Sequence, residues 1–256
     1  MTDNYHDRPE WSYSQMKLIL DHGIDYAVAA KRKIIEEEFS AAVDLGELVH
    51  MFVLGGEAKD FVVAPYEKCL TKEAKAWRDA RKAEGKTIIC KNEYESFVLI
   101  VNNIKAHPRS AHLITAPEVK HEVEMYATVN DVALRGKADA LQELAGGGIV
   151  VADIKTTTKF DDFKYIAMRR HYDLQAAIYS LLACKATGTS PSFCNFWFCV
   201  AETKFPYRVQ YHHCPAEFIE HGERKLEQCL QAIKNFGDRE PKFLIEEVNE
   251  LGDWSL

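Results

Sequence analysis

Three charged residues near the middle of the chain, Asp139, Asp153 and Lys155, have types and spacing that could hold a metal ion and activate water. Asp153 and Lys155 close a short β-branched run, residues 149–151, which predicts a buried strand. Because alternate side chains of a strand share a face, the carboxylate and the ammonium point the same way, about 6–7 Å apart. Taken alone, this pair is more typical of a strand that ends in solvent, so its interpretation depends on the residues around it.

The chemistry that fits these three residues is phosphodiester hydrolysis assisted by a hard divalent cation. Mg²⁺ is held in proteins by one or two carboxylates together with retained waters, and Asp139 and Asp153 lie on neighbouring predicted strands. We therefore expect Mg²⁺ as the cofactor, with Mn²⁺ able to replace it. Lys155, on the same face, could orient the attacking water or stabilise the charge that develops on phosphorus.

A histidine upstream could join this set. His50 belongs to a helical pattern over residues 41–54, on the side opposite the apolar stripe and one turn from Glu47. A single histidine on a helix is more often a surface or core residue without a role in chemistry. His50 does not continue the apolar stripe, however, and it has an acidic neighbour.

Two further positions extend the candidate site on either side of the central strand. Gln175 and Tyr179 are four residues apart on a predicted helix and therefore share a face. An acid on the strand that precedes Asp139 is also a candidate, with Glu124 the first choice and Glu122 the alternative.

The acids are predicted to lie on an antiparallel meander, because apolar and polar residues alternate in this part of the chain. Its three strands are expected over residues 119–129, 132–144 and from 149 onward. In the second strand, Arg135, Lys137 and Asp139 alternate with apolar residues. The meander is thus expected to have one solvated, charged face.

The remaining pattern predicts helices around a mixed sheet. Helices are expected over residues 11–33 (two, around Gly23), 41–54, 67–86, 91–105, 160–186 and 215–236, and strands over 191–201 and 205–214. No repeat or low-complexity linker divides the chain, so we predict a single domain, 1–256, of α/β (α+β) type. Its parts are a mostly helical portion (1–110), a sheet core (119–214) and a C-terminal helix with an acidic tail (215–256).

Two segments of the helical portion allow more than one interpretation. Ser12 or Ser14 could cap the first helix, and the same helix start could bind an anion; capping is the simpler interpretation. Residues 67–86 contain seven Lys and Arg against four acids. This segment is either a solvated helix with internal ion pairs or a surface that contacts a phosphate backbone.

The amino-acid composition narrows the class of protein but does not identify a single class. The net charge of −7 argues against a nucleic-acid partner at first sight, but much of the excess lies in residues 240–256. The seven cysteines form no C-x-x-C pair, which disfavours a disulfide framework or a zinc ribbon. Because the sequence has no signal peptide and no long apolar run, we expect a soluble cytoplasmic protein without a membrane partner.

Several segments of the sequence resemble a known family. The segments KADAL (137–141), VVADIKTTT (150–158) and YDLQAAIY (172–179) are similar to the PD-(D/E)xK nuclease superfamily, and more closely to its RecE-type exodeoxyribonuclease VIII group. Upstream segments such as WSYSQMKLIL and DLGELVHMFVLGG agree in order and spacing. The resemblance covers roughly residues 5–185 and implies a restriction-endonuclease-like core.

The resemblance also implies roles for individual residues. His50, Asp139 and Asp153 match the metal-binding positions, and the carbonyl of Ile154 would complete the metal shell. Lys155 matches the catalytic lysine. The other matched or suggested positions are Glu124, Gln175 and Tyr179 for catalysis and the DNA cleft, and Ser12, Ser14 and Lys17 for a 5′-phosphate pocket. KAD stands where many members have RPD or KPD, but the acid itself is present.

The resemblance implies a Mg²⁺-dependent exonuclease that digests linear double-stranded DNA from 5′ ends and leaves 3′ single-stranded tails for recombination. Its implied partners are DNA ends, a RecT-like single-strand annealing protein and further copies of the chain. Two alternatives remain open: an endonuclease or single-strand nuclease on the same core, and a non-catalytic DNA-binding module.

Overall fold

A five-stranded mixed sheet lies at the centre of the structure, a computed structural model that describes Tyr5 and residues 8–35, 42–55 and 61–242. The strands are β1 (Phe61–Val63), β2 (Thr87–Ile89), β3 (Lys120–Val129), β4 (Val132–Glu143), β5 (Ile149–Thr157), β6 (Cys194–Glu202) and β7 (Val209–His213). The large sheet has the order β3-β4-β5-β6-β7, and β1 and β2 form a separate parallel pair. Only the β5–β6 pair of the large sheet is parallel; its other pairs are antiparallel.

Helices cover the sheet, and nine α-helices occur in the described ranges. They are α1 (Tyr13–His22), α2 (Ile24–Lys31), α3 (Ala42–Val53), α4 (Lys72–Ala83), α5 (Lys91–Ala106), α6 (Ser110–Leu113), α7 (Phe163–Arg169), α8 (Tyr172–Thr187) and α9 (Ala216–Phe236). A short 3-10 turn, Pro191–Phe193, leads into β6. The mixed α/β fold predicted from the sequence is confirmed.

The turn between β3 and β4 follows from two residues that tolerate a left-handed backbone. Asn130 and Asp131 have φ angles of 48° and 66°. Positive φ at both central positions is the geometry that matches the twist of a two-residue hairpin, and Asn and Asp adopt it more readily than most residues. The antiparallel pairing predicted for residues 119–129 and 132–144 is confirmed.

The alternation of β4 is interrupted at Asp139. Leu134 and Ala138 pack in the main hydrophobic core, which lies between the large sheet and helices α1, α2, α8 and α9. Leu141 packs there too, although it follows Ala138 by three residues and strict strand alternation would require an even number. The facing position in β3, Glu122, has a φ angle of 53° and is missing from an otherwise continuous ladder. Because of this local irregularity, the Asp139 side chain does not follow the regular alternation of side chains between the two faces of the sheet.

The hydrogen-bonded ladder between β4 and β5 is short. It joins residues 140–143 to 149–152 and stops just before Asp139 and Asp153. Beyond this point the edge of β4 is covered by the N-terminal segment: the Trp11 amide donates to Ala133 (2.8 Å), and Arg135 donates to the Trp11 carbonyl (2.9 Å). β4 and β5 therefore separate at the two aspartates.

The first helices have the ends that the sequence predicts. Ser12 begins α1 in a reciprocal capping box with Gln15, and Gly23 separates α1 from α2 with a φ angle of 88°. Met16 and Val28 bury the inner faces of these helices in the main core, where α9 also packs.

A second apolar cluster lies on the opposite face of the sheet. α3 and α5 pack there against Ile154, Cys199 and Ala201 of the central strands. The β1–β2 pair and α4 add a small satellite cluster around Ala74 and Ile88. The sheet is therefore covered by helices on both faces.

Helix α8 crosses the main core and is held closely by α9. A Cβ atom at Gly222 of α9 would lie 2.0 Å from the carbonyl oxygen of Asp173 in α8, so only glycine allows this approach. The buried Asp173 carboxylate also accepts from Lys225 of α9 at 2.9 Å and pairs with His221.

Several local predictions need correction. Arg135 and Asp139 are buried, so the predicted solvated face of residues 132–144 is wrong; the N-terminal segment and α3 cover it. The helix expected over 67–86 is shorter, since only residues 72–83 are helical and 87–89 form a strand. The segment 160–186 contains two helices instead of one.

Two further expectations concern the acidic tail and membrane-spanning helices. Most of the acidic tail, residues 243–256, lies outside the described residues. No helix in the described ranges combines the length and the apolar character needed to cross a membrane.

Candidate active site

Asp139 and Asp153 meet where β4 and β5 separate. The register of the ladder places them opposite each other, one step beyond its last bonded pair. The amide of Ile154 donates to Asp139 Oδ2 at 2.7 Å, which fixes the first carboxylate against the backbone of β5. Both side chains are nearly inaccessible, with 9% and 3% of their residue surfaces exposed. Two carboxylates this deeply buried need positive partners.

His50 supplies one of these partners from α3. The helix approaches β5 closely at Gly46, where a Cβ atom would lie 3.2 Å from Thr156 Oγ1. His50 Nδ1 lies 2.8 Å from the Gly46 carbonyl, and Nε2 lies 2.7 Å from the Ile154 carbonyl and 3.1 Å from Asp139 Oδ2. Since all three partners are oxygen acceptors, the geometry suits an imidazolium that donates from both nitrogens.

The charges of this cluster shift each other's pKa values. Burial alone would lower the pKa of His50, but the adjacent Asp139 carboxylate outweighs burial and raises that pKa to about 9. Burial alone would raise the pKa of Asp139, and the His50 cation outweighs it and holds the pKa below its ordinary range. Burial raises the pKa of Asp153 to about 6, which Lys155 opposes and Asp139 reinforces.

Lys155 lies on the same face of β5 as Asp153, as the strand alternation predicts. Its ammonium pairs with Asp153 Oδ1 and lies 4.7 Å from the centre of the Tyr172 ring and 5.8 Å from that of Phe198. Burial would lower the pKa of Lys155, but the Asp153 carboxylate outweighs it and raises that pKa. The lysine is therefore held as a cation in an aromatic recess at the edge of the cleft.

Helix α8 places Gln175 and Tyr179 beside the carboxylates. Gln175 Nε2 donates to Asp153 Oδ2 at 2.9 Å, and the buried Gln175 Oε1 has no hydrogen-bond partner within the described ranges. Burial, with Asp153 nearby, raises the pKa of Tyr179 well above its ordinary value, so its phenol stays protonated. The ring approaches β4 at Gly136, where a Cβ atom would lie 3.1 Å from Tyr179 Cε1.

The donor atoms suit a hard divalent cation, although no group of three or more His, Cys, Asp and Glu side chains in the described residues forms a metal cluster. His50 Nε2 lies 2.7 Å from Ile154 O and 3.1 Å from Asp139 Oδ2. Adjacent ligands of an octahedral ion with bonds of about 2.1 Å are roughly 3 Å apart. One imidazole nitrogen, one carbonyl oxygen and one carboxylate oxygen of Asp139 thus have a spacing that a single ion could bridge. Asp153, opposite Asp139, adds a further carboxylate, whose oxygens are held by Lys155 and Gln175.

The upstream acid is not joined to this cluster by any contact that the structure describes. Glu124 is exposed on β3, and its carboxylate accepts from the Tyr126 hydroxyl. Glu122 is also exposed and pairs with Lys137 of β4. The role assigned to Glu124, with Glu122 as its alternative, stays a prediction.

The residues suggested for a 5′-phosphate pocket have other local partners. Ser12 caps α1, and its hydroxyl lies 2.9 Å from that of Ser14. Lys17 pairs with Asp21 at 3.0 Å. Capping, the simpler interpretation of Ser12, is therefore confirmed, while anion binding at these residues stays a prediction.

Comparison with known proteins shows the family of this chain. Residues 12–242 match the model of a family described as a PDDEXK-like domain of unknown function (DUF3799). The chain belongs to this PDDEXK-like family. The predicted membership of the PD-(D/E)xK superfamily is thus confirmed, and its members generally use divalent metal ions. The closer assignment to the RecE-type group stays a prediction.

A solved structure shows a similar fold at low sequence identity. A protein from Eubacterium rectale named "Putative exonuclease" aligns with a TM-score of 0.61 and 15% identity, over 92% of this chain and 86% of that one. A protein named SSO0001 aligns with a TM-score of only 0.33 and 12% identity, over 73% of this chain and 85% of that one, which is too weak to bear on function. A search of curated protein sequences found no match.

Sequence reasoning missed the aromatic residues that surround the lysine. Tyr172 lies three residues before Gln175 on α8 and therefore faces the same cleft. That spacing is a signal which could have identified it. Phe198 could not be identified in this way, because it reaches the site through the parallel pairing of β5 and β6, in which it lies opposite Asp153.

Proposed function

We propose that this PDDEXK-like protein is a magnesium-dependent DNA nuclease. The observation that carries the proposal is the convergence of His50, Asp139, Asp153 and the Ile154 carbonyl, with the Lys155 ammonium beside them. Four donors for a hard cation next to a buried positive charge suit an anionic substrate whose hydrolysis increases its negative charge. A non-catalytic binding module would have no need for such costly buried charges.

In this proposal, the side chains have two roles: binding the metal ion and stabilising charge on the substrate. His50, once Nε2 has released its proton, would hold Mg²⁺ or Mn²⁺ together with Asp139, Asp153 and the Ile154 carbonyl. The bound ion would polarise the phosphoryl oxygens and lower the pKa of bound water. The Lys155 ammonium lies between Asp153 and the Tyr172 ring. It would orient the attacking water and stabilise charge on the phosphoryl group.

Within this function we propose an exonuclease that digests linear double-stranded DNA in the 5′→3′ direction. The resemblance of residues 5–185 to RecE-type enzymes supports this choice. The product would be a 3′ single-stranded tail, used for recombination with a single-strand annealing protein, and the chain would act as a homo-oligomer. The solved neighbour of similar fold carries the name "Putative exonuclease", a description of that protein alone.

The test compares linear duplex DNA with covalently closed circles of the same sequence, in Mg²⁺, in Mn²⁺ and with the metal chelated. We expect digestion of the linear form alone, and only with metal. Linear DNA labelled at one end then gives the polarity: a 5′ label should be released early, and a 3′ label should remain on a long single strand.

The variant Asp153→Asn serves as the inactive control, because it keeps the shape of the side chain and removes its charge. Cleavage of closed circles by the wild-type protein would contradict the exonuclease proposal and favour an endonuclease. Full activity of Asp153→Asn would contradict the assignment of the site.

A further inference from the structure

The short helix α7 exposes an unusual combination of side chains on one face. Lys164, Tyr165, Met168 and Arg169 are all exposed, and Tyr165 and Met168 keep 68% and 39% of their surfaces accessible. Spacings of three and four residues place them side by side on the helix. Large exposed apolar groups between cations are a feature of binding surfaces more than of ordinary solvated helices.

The inner face of α7 is anchored directly beside the candidate active site. Phe163 is buried, with its ring centre 5.9 Å from that of Phe198 and 6.1 Å from that of Tyr172. These two rings are the ones that border the Lys155 ammonium. One layer of aromatic side chains therefore separates α7 from the catalytic lysine, and α7 has a fixed position relative to it.

The surroundings leave this face positively charged. Lys159 and Arg170 flank it and are exposed, while the nearby Asp161 carboxylate is held at 3.0 Å by both terminal nitrogens of Arg208. Asp162 is the one other acid between residues 159 and 170. On a chain with a net charge of −7, a local excess of cations beside the active site is a specific electrostatic feature.

We propose that this face of α7, formed by Lys164, Tyr165, Met168 and Arg169, binds single-stranded DNA. The inference rests on the proposed nuclease function and names a surface for the strand that the site does not cut. Cations spaced along a surface pair with successive phosphates, and an exposed aromatic ring stacks on an unpaired base. A duplex would offer only its phosphates here, because its bases are already stacked on each other.

The basic helix α4 is a weaker candidate for this role. Arg78 pairs with Asp79 at 3.0 Å and Arg81 with Glu84 at 2.8 Å, so the charges of these arginines are largely satisfied within the helix. The solvated-helix interpretation of this segment explains these pairs. α7 differs because it exposes the Tyr165 ring between cations, whereas the large ring of α4, Trp77, is half-buried.

The test measures binding of a labelled oligothymidylate and of a labelled duplex by fluorescence anisotropy, in chelator and over a range of salt concentrations. The variants are Tyr165→Ala, Tyr165→Phe and the double variant Lys164→Gln/Arg169→Gln. Lys185→Gln is the matched control, since Lys185 is exposed in the last turn of α8, at the end remote from α7.

We expect Tyr165→Ala to weaken single-strand binding roughly 5- to 100-fold, the usual effect of losing one stacked base, and Tyr165→Phe to bind as the wild type does. The double variant should lower the slope of log K against log salt by about 1.4, since each single-strand phosphate contact contributes about 0.7. Duplex binding should not respond to Tyr165→Ala.

Unchanged single-strand binding in both Tyr165→Ala and the double variant would overturn the inference. If the wild type still digested DNA, the proposed nuclease function would hold even though this surface did not bind single strands. Equal weakening of both DNA forms by the double variant, with no effect of Tyr165→Ala, would also overturn it in favour of a duplex-backbone contact. The expected binding pattern in a protein that digests no DNA with Mg²⁺ or Mn²⁺ would uphold this surface and refute the nuclease proposal.

Discussion

At the scale of single residues, every buried charge in the candidate site has an opposite charge beside it. Asp139 has His50, and Asp153 has Lys155. Removing one member of such a pair leaves an uncompensated charge that costs several kcal/mol, so the pairs act as units. A variant at this site therefore has to be tested for folding as well as for activity.

Lys155→Ala should lower the rate of DNA cleavage at least 100-fold while metal binding is kept. In the proposed function the ammonium stabilises charge in the transition state, and loss of one such group usually costs 10²–10³ in rate. Single-turnover kinetics would give the rate, and calorimetric titration with Mn²⁺ would give the metal affinity. A lost Mn²⁺ signal with normal turnover would contradict the role assigned to Lys155. Lys185→Ala is the surface control.

At this scale the sequence predicted much of the site. The two-residue repeat of a strand was sufficient to place Asp153 and Lys155 together. The pairing of His50 with Asp139 could be proposed only from the family resemblance, because residues 89 positions apart meet through packing of a helix on a sheet. The Tyr172 ring below Lys155 was missed, although helical spacing from Gln175 contained the information.

At the scale of elements, the crossing of α8 and α9 holds the cleft side of the main core. Gln175 and Tyr179 project from α8, and α9 fixes that helix from behind through Gly222 and the Asp173 pairs. The register of α8 against β5 therefore depends on a contact that lies outside the site.

Gly222→Ala should destabilise the protein by about 3 kcal/mol. The new methyl group would lie 2.0 Å from the Asp173 carbonyl oxygen and 2.9 Å from the Ala177 Cβ, and overpacking of this kind forces the helices apart. Urea unfolding followed by circular dichroism would measure the change. Glu223→Ala, at the next and exposed position, should stay within about 0.5 kcal/mol of the wild type. Equal stability of the two variants would refute the close crossing.

The stability that Asp173 provides should depend on pH. Burial alone would raise the pKa of Asp173, but hydrogen bonds from Lys225 and His221 outweigh it and hold that pKa below its ordinary value of 3.8. A carboxyl with a lowered folded-state pKa stabilises the protein fully above pH 3.8, and this contribution disappears as the pH falls through the lower, folded value.

The measurement compares the melting temperatures of the wild type and Asp173→Asn between neutral pH and about pH 3. We expect a clear difference near pH 7, because the variant leaves Lys225 without its buried partner, and a smaller difference at the acid end. A difference that stays constant over this range would mean that the Asp173 pairs contribute no linked stability.

Much of the secondary structure could be predicted from the sequence. The meander β3–β5, the capped start of α1 and the helix α9 follow from alternation, an N-cap serine and an apolar stripe. The β1–β2 pair was missed, since strands of three residues leave no periodic signal. The burial of Arg135 was missed as well, because the segment around Trp11 that covers it is distant in sequence.

At the scale of the whole molecule, the net charge of −7 opposes the approach of DNA. Four acids, Glu246, Glu247, Glu250 and Asp253, lie beyond the last described residue, Lys242. The chain described up to that residue therefore carries a smaller negative excess than the whole.

A protein shortened after Lys242 should bind DNA severalfold more tightly at low salt. The four acids repel the DNA over a screening distance of about 30 Å at 0.01 M salt and only about 3 Å at 1 M. The gain should therefore vanish at high salt, which anisotropy titrations at both extremes would show. A full-length variant with the four acids changed to Gln and Asn is the matched control. Identical affinities at low salt would show that these acids do not affect DNA binding.

The packing of α9 against α1 and α2 has a consequence for synthesis of the chain. Met16 and Val28 are buried in a core that α9 completes, and α9 ends at Phe236. A ribosome adds about 5–20 residues per second, so roughly 10–40 s pass between synthesis of the first two helices and completion of α9. During that interval their apolar faces are exposed, and the nascent chain is expected to depend on chaperones until α9 is made.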